Sequence, residues 1–313
     1  MPVPPRFLVH QDVASECESR DDAERVLGNG LRNFYIHSLI ACSPPMKKLQ
    51  PISSAKLSSI GKLLQKKYRI ESKRFLVEGL RTVEEALASD WAVETVLLRR
   101  NVLADSSCRE LLHLAAQKEV PSYQITEEAF EKISDTVHSQ GILAVVRQKS
   151  YGMDVFDTSN PGFIVVALDG IMEPGNMGAI IRTCDWFGVD ALLFGKGSVE
   201  FFNPKVVRSA MGSTFHIPFV ADVSLPSALE ELKGKGFAVY ASISQDGEAI
   251  EKIPWKQKPV IVFGNEVHGV SRDVLRIADE KLTVPRFGGA ESLNVGVACG
   301  VVLGLLRTTL SSE

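Results

Sequence analysis

From residue 162 onward the chain alternates short, nearly continuous apolar runs with segments of helical periodicity. The runs are FIVVAL (163–168), ALLFG (191–195), HIPFV (216–220), FAVYASI (237–243), PVIVFG (259–264) and KLTVP (281–285). Helices are predicted over 177–187, 204–211, 225–233, 271–278 and 293–310. Apolar strands without alternation are buried on both faces, so this half is predicted to be α/β, a parallel sheet covered by helices.

Residues 46–148 carry a different pattern, that of a small mixed unit. A basic helix is predicted from Leu57 to Tyr68, followed by a strand at RFLVEG (74–79), a helix from Thr82 to Ala88 and a strand at VETVLLR (93–99). A further helix falls near 107–118. The stretch ITEEAFEKISD then places Ile125, Phe130 and Ile133 on one apolar face. ILAVVR (142–147) closes the unit as a strand, and the polar, turn-rich residues 149–161 read as a linker to the catalytic-sized remainder, 162–313. Residues 1–45 hold Pro2, Pro4 and Pro5, a mixed-charge stretch, then Pro44 and Pro45. Their pattern matches neither a secretory signal nor an acid-poor transit peptide. They read as an extension upstream of Met46, or an alternative start, and are expected to be poorly ordered. No internal repeat is evident.

Composition adds three constraints. The apolar fraction of 45% and charged fraction of 23% over 313 residues suffice for two packed domains. No apolar run reaches the ~18 residues of a membrane-spanning helix. The five cysteines are scattered and never form CxxC, which disfavours a disulfide framework or zinc ribbon and fits a reducing compartment such as the cytoplasm. Net charge is -3 overall, but residues 46–82 alone carry +8, with ten Lys/Arg against Glu71 and Glu78. A basic block on an acidic body points to contact with a polyanion, although charge alone is equally compatible with a solvated lysine-rich helix face.

Several chemistries are excluded by spacing. GKGS (195–198) lacks the spacing of a phosphate-binding P-loop, and DGIMEPGNMG after the first strand is not a dinucleotide fingerprint. No HExxH or paired metal-ligand spacing occurs; His138, His216 and His268 are isolated, so no metal is expected. Three segments remain, each at the carboxyl end of a predicted strand, where open α/β sheets place ligands. In EPGNMGAIIRT (173–183), Asn176 is positioned to cap a helix, Gly178 permits close backbone approach, and Arg182 projects toward the open end. In VFGNEVHGVS (262–271), Gly264 and Gly269 bound a tight loop with Glu266 at its tip. In VPRFGGAESLNVGVACG (284–300), Ser292 and Asn294 stand at the mouth of a long apolar helix. Taken singly, these read as a capped helix with a surface arginine, a glycine turn, and a serine N-cap with an adjacent asparagine.

In order, N-x-G-x-x-x-R, G-N-E-x-x-G and P-x-x-G-x-x-x-S-L-N-V resemble the three motifs of the SpoU (TrmH-type) RNA 2'-O-methyltransferases of the SPOUT superfamily. NPKVVRSAMGS (203–213) is similar to the family's second helix. The resemblance covers 162–310. Residues 53–148, with FLVEG and TVHSQGILAVV, are similar to the ribosomal-protein-like substrate-binding domain that precedes it in many members; residues 1–45 show no resemblance. The resemblance implies a SPOUT-type parallel sheet with a C-terminal trefoil knot. It implies S-adenosyl-L-methionine held by main-chain groups around Gly264, Val284 and Leu293, with Asn265 and Pro285 beside them. Arg182 and Asn176 would lie at the ribose, completed by Glu266, Ser292 and Asn294. It also implies a homodimer with the active site at the subunit interface. Two departures from the motifs are Gly296, where serine is common, and Arg286, where an apolar residue is usual.

Within that resemblance, a ribose 2'-oxygen attacks a sulfonium methyl in line, and no metal is needed. The protein supplies alignment and stabilisation of the developing oxyanion. Arg182 suits the second task, since a guanidinium does not act as a base. Lys62, Lys66, Lys67, Arg69, Arg74 and Arg208 are the expected phosphate contacts. Ribosomal RNA is the favoured substrate because minimal tRNA-modifying members lack the preceding domain. The alternatives are a tRNA 2'-O-methyltransferase and a non-catalytic RNA-binding protein of the same fold.

Overall fold

The computed structural model describes residues 49–136 and 139–310; the expected extension at 1–45 and His138 lie outside them. The first unit runs β1 (Gln50–Pro51), α1 (Ser54–Gly61), α2 (Lys66–Ser72), β2 (Arg74–Glu78), α3 (Leu80–Ala88), β3 (Val93–Arg99), α4 (Ser106–Gln117), β4 (Ser122–Ile125), α5 (Glu127–Glu131) and β5 (Ile142–Arg147). Its sheet has the order β1-β4-β3-β5-β2, with β5 antiparallel to both neighbours and the remaining pairs parallel. The second unit runs β6 (Val165–Asp169), α6 (Pro174–Trp186), β7 (Ala191–Gly195), α7 (Pro204–Ser209), β8 (Phe219–Val223), α8 (Leu225–Gly234), β9 (Ala238–Ser242), β10 (Glu248–Ala249), β11 (Pro259–Gly264), α9 (Arg272–Ile277), β12 (Glu280–Thr283) and α10 (Val295–Leu310). Its seven strands are all parallel, in the order β10-β12-β9-β11-β6-β7-β8. Val165 to Leu168 and Val260 to Phe263 are buried without alternation, as the apolar runs predict. No helix among the described residues is long and apolar enough to cross a membrane.

The basic helix expected over 57–68 is interrupted. Gln65 is extended (φ -96°, ψ 133°), and the chain restarts as α2. The cause lies in tertiary structure. Arg69 Nη1 donates to the carbonyls of Leu63 and Leu64, both at 2.8 Å, satisfying acceptors that a continuous helix would have paired along its own axis. The strand expected at 216–220 begins three residues later, because a 3-10 turn at Ser213–Phe215 and then Pro218 precede it. In the stretch around Ile125, only Glu127–Glu131 is helical and Ile125 ends β4, yet Ile125, Phe130 and Ile133 do share one buried cluster.

The two sheets do not hang on a loose connection. Phe75 and Trp91 of the first unit pack against Phe202 and Phe215 of the second, with ring centroids at 4.6 Å for Phe75–Phe202 and 5.4 Å for Trp91–Phe215. One continuous core includes residues from both units. Segment 149–161 is likewise built in: Phe156 is fully buried, and Tyr151 packs edge-on to Phe219. Around the aromatic contact stand three ion pairs that join the units: Arg69 with Glu200, Arg208 with Asp135 at 2.6 Å, and His216 with Glu85 at 3.2 Å. Gly212 (φ +100°) approaches so closely that a Cβ there would lie 2.6 Å from Glu85 Cγ.

His216 Nδ1 also meets Asp185 Oδ2 at 2.8 Å, so its ring lies between two carboxylates. Hydrogen bonds to Asp185 and then Glu85 favour the imidazolium and push its pKa up to about 9, from an ordinary 6.5. A folded-state pKa above the unfolded one stabilises fully below the unfolded value and ceases to do so as pH rises through the folded value. Wild type should therefore exceed His216→Gln in melting temperature most clearly near pH 6, with the gap closing by about pH 9.5. Thermal unfolding across that range checks this, and a gap independent of pH would contradict it.

Candidate active site

Asn176, Glu266 and Asn294 meet at the carboxyl end of the parallel sheet. β6 ends at Asp169, Gly170 turns the chain at φ +73°, and α6 starts with Pro174 in its first turn. Its N-cap is Glu173, not Asn176 as expected. Pro174 fixes the start earlier, and Glu173 Oε2 accepts from the Asn176 N–H at 2.7 Å. Lys205 Nζ donates to the other Glu173 oxygen at 2.8 Å. The Lys205 ammonium, then the Asn176 N–H, hold the Glu173 carboxyl below the usual carboxylate range.

The loop after β11 closes on itself through Asn265 and Gly269, each N–H donating to the other's carbonyl at 3.0 and 2.9 Å. Asn265 Oδ1 accepts from the N–H groups of Val267 and His268, and its Nδ2 donates to the Gly170 carbonyl at 2.7 Å, tying the loop to the end of β6. Gly264 admits no side chain, since a Cβ would fall 2.1 Å from the Val270 nitrogen. The turn presents Glu266, whose Oε1 accepts from the Glu173 N–H at 3.2 Å and from Asn176 Nδ2 at 3.0 Å, while its Oε2 accepts from the Met172 N–H at 3.3 Å. Burial disfavours the charged carboxylate, but these donors outweigh it and lower its pKa.

The third loop enters through Asn294. Its Nδ2 donates to Asn176 Oδ1 at 2.8 Å, and its Oδ1 accepts from the N–H groups of Gly296 and Val297 at 2.9 and 3.3 Å. Asn294, not Ser292, therefore holds the first turn of α10. The Asn176 amide is pinned at both ends, to Glu266 and to Asn294, and so all three motif loops share one hydrogen-bonded centre.

The other predicted residues take no part in this hydrogen-bonded centre. Arg182 is exposed on α6, and no hydrogen bond or ion pair involves its side chain among the described residues. Ser292 is exposed and Leu293 is half-exposed, while Val284 and Pro285 are partly buried, with Val284 against the core. Phe287, at 98% exposure, Met172 and Val267 add apolar surface around the polar centre. No main-chain N–H from Arg286 to Leu293 donates within the described residues. Free main-chain donors beside apolar side chains fit a nucleoside ligand gripped through the backbone. At Gly296 α10 packs closely on α6: a Cβ would lie 3.3 Å from both Ala179 Cβ and Asn294 Oδ1. Sequence reasoning missed Glu173, Lys205 and Asp169, whose Oδ2 accepts from the Ser271 N–H at 2.7 Å. Pro174 was the available signal for the earlier helix start.

The expected phosphate contacts divide. Lys62, Lys66 and Lys67 are exposed, and Arg74 is half-buried at 3.4 Å from Glu94. Arg69 is a correction. Its side chain is 3% exposed and engages Glu200 and two carbonyls, so it is a strut between the units and not a phosphate contact. Arg208 is also committed, to Asp135 Oδ1 and to Thr136 Oγ1 at 2.9 Å.

Residues 163–304 match the SpoU rRNA Methylase family, and residues 55–144 match the MRM3-like substrate binding domain. A 23S rRNA (guanosine(2553)-2'-O)-methyltransferase, RlmP, of Bacillus subtilis (strain 168) is 36% identical over 262 residues, covering 84% of this chain and 100% of that protein. A 23S rRNA (guanosine-2'-O-)-methyltransferase, RlmB, of Neisseria meningitidis serogroup B is 28% identical over 207 residues, covering 65% of this chain and 83% of that protein. Among solved structures, an AdoMet-bound rRNA methyltransferase from Sinorhizobium meliloti is 26% identical with a TM-score of 0.73, covering 84% of this chain and 98% of that one. With these matches spanning both sheets, and with the three motif loops joined at Asn176, this chain belongs to the SpoU rRNA methylase family.

Proposed function

We propose that the protein methylates a ribose 2'-hydroxyl of ribosomal RNA, using S-adenosylmethionine. The observation that carries this is the shared centre of Asn176, Glu266 and Asn294, with free main-chain donors in 286–293 and an unpaired arginine side chain further along α6. The RlmP and RlmB relatives act on 23S rRNA by name, and the substrate-binding unit preceding the parallel sheet favours that class over tRNA.

S-adenosylmethionine supplies a methyl group on a sulfonium, with a neutral thioether as leaving group. Main-chain groups around Gly264, Val284 and Leu293, with Asn265 and Pro285, would hold it. Glu266 has its oxygens occupied by three donors and positions the Asn176 amide. Asn176 and Asn294 offer a fixed pair of polar groups to a ribose, with Ser292 at the mouth. Arg182 stays protonated and stabilises negative charge growing on the attacking oxygen, while gripping a neighbouring phosphate. The hydroxyl proton goes to a group other than Arg182. The free buried thiols of Cys108, Cys184 and Cys299 support a reducing compartment such as the cytoplasm.

The same reading includes a homodimer and a knotted C-terminus. β12 is separated from β6 by β9 and β11, yet α10 returns to pack on α6, as a C-terminus threaded beneath 284–294 would. Gly296, Gly300 and Gly304 face α6 and its C-cap Phe187, leaving Val297, Val301 and Leu305 exposed on α10, while Trp186 on α6 is 84% exposed. Such an apolar strip suits a second copy, and Arg182 lies on the same helical strip as Ala179 and Trp186.

Arg182→Ala should lower turnover ~10²-fold or more and leave cofactor affinity nearly intact. Radiolabelled methyl transfer and calorimetry measure the two, and an equal loss of cofactor binding would contradict the assignment. Trp186→Glu should convert a dimeric wild type into a monomer in light scattering. A wild type that is already monomeric would overturn the dimer.

A further inference from the structure

We infer that the depression beside Tyr68 is a subsite for one unpaired nucleotide of the RNA substrate, the base stacking on the Tyr68 ring and its phosphate meeting Lys62 and Arg74. The inference rests on the proposed RNA methylation and names where the strand is held away from the reacting ribose.

The depression has a volume of about 220 Å³, room for one nucleobase, and is walled by Ser59, Lys62, Leu63, Tyr68, Glu71 and Arg74. Leu63 is buried and gives it an apolar floor. The ammonium groups of Lys62 and Lys67 lie over the half-buried Tyr68 ring, 5.5 and 5.8 Å from its centroid. Its hydroxyl makes no hydrogen bond among the described residues. The one acidic wall residue, Glu71, has Lys67 at 4.0 Å. An aromatic ring covered by solvent-exposed lysine ammoniums suits single-stranded nucleic acid: a base takes the place of an ammonium over the ring, and the displaced lysine follows the backbone phosphate. An acidic or apolar peptide would use the cations or the floor but would leave the ring without a planar partner.

The break in the predicted basic helix creates this site. Had 57–68 continued as one helix, Lys62 and Tyr68 would lie on a convex surface. The kink at Gln65 folds α2 back instead, and the adjacent Arg69 locks it by reaching Glu200. Glu200 belongs to the loop that follows β7, at the same carboxyl edge as Asn176. That loop is tied to the β6–α6 connection by the Val199 N–H donating to the Ile171 carbonyl at 2.8 Å. Tyr68 is thus one residue from a strut into the active-site edge, and the depression and the reacting centre sit on one frame.

The test uses the full chain and a fluorescently labelled oligouridine, read by anisotropy, together with methyl-transfer kinetics on ribosomal RNA. Tyr68→Ala should weaken oligouridine binding roughly tenfold, and Tyr68→Phe and Tyr68→Trp should retain it, because stacking needs the ring and not the hydroxyl. KM for RNA should rise in Tyr68→Ala with kcat and cofactor affinity kept. Tyr68→Leu preserves apolar bulk if the alanine variant unfolds, and should show the same loss. Wild-type affinity in Tyr68→Ala or Tyr68→Leu would overturn the subsite, including the case in which Lys62→Ala alone weakens binding. If no RNA is methylated but oligouridine binding still depends on the Tyr68 ring, the proposed activity fails and the subsite stands. If methylation proceeds with the same KM in Tyr68→Ala, the activity stands and the subsite fails.

Discussion

One side-chain amide organises the reactive end of this molecule. Asn176 gives its Nδ2 hydrogen to Glu266 and takes one from Asn294, so segments 90 and 118 residues away in sequence are held at 3.0 and 2.8 Å. The pinning is possible only because each partner is itself fixed. Glu266 sits on a turn that Gly264 and the Asn265–Gly269 bridge leave no freedom, and Asn294 is committed to the first turn of α10. The Glu266 carboxylate accepts three hydrogen bonds, from Met172, Glu173 and Asn176, and cannot shift without breaking them together, which makes the centre rigid. Rigidity is what methyl transfer asks of a protein, since the activated leaving group comes with the cofactor and alignment is what remains to be supplied.

A second constraint couples this centre to the substrate-binding unit. Segment 200–216 lies between the two: Gly178 of α6 packs directly on Ser209 and Ala210, while Phe202, Phe215, Arg208, Gly212 and His216 face the first sheet. His216 contacts both sides at once, holding Asp185 two turns along α6 from Asn176 and Glu85 on α3. The small unit is therefore joined to α6 through packed side chains, not through a flexible tether.

Much of this was legible in the chain itself, for identifiable reasons. VETVLLR, ILAVVR, ALLFG and PVIVFG are strands over nearly the stretches predicted, because each is an apolar run bounded by turn residues. The three motif loops could be located because strand ends and glycines are local signals. What escaped was set by distant partners. Counting charges could not separate Arg69, which is buried against Glu200, from Lys66, which faces solvent, as the difference depends on a carboxylate 131 residues away. The break at Gln65 has the same cause. Glu173 was overlooked as the cap of α6 because asparagine is the commoner N-cap, and the competing signal was the proline that follows it. Gly296 departs from the motif at a position where α10 packs on Ala179, a contact no local pattern announces.

The central claim is that the Asn176-centred junction builds the cofactor site out of three separate loops. Titration calorimetry of S-adenosylmethionine against wild type and Asn176→Ala measures it directly. Asn176 is half-buried and its two side-chain hydrogen bonds lie at the exposed edge of the sheet, each worth ~1 kcal/mol, so the variant should bind about tenfold or more weakly and lose only a few degrees of melting temperature. Equal affinity in the two proteins, or a wild type that binds no S-adenosylmethionine, would contradict the account.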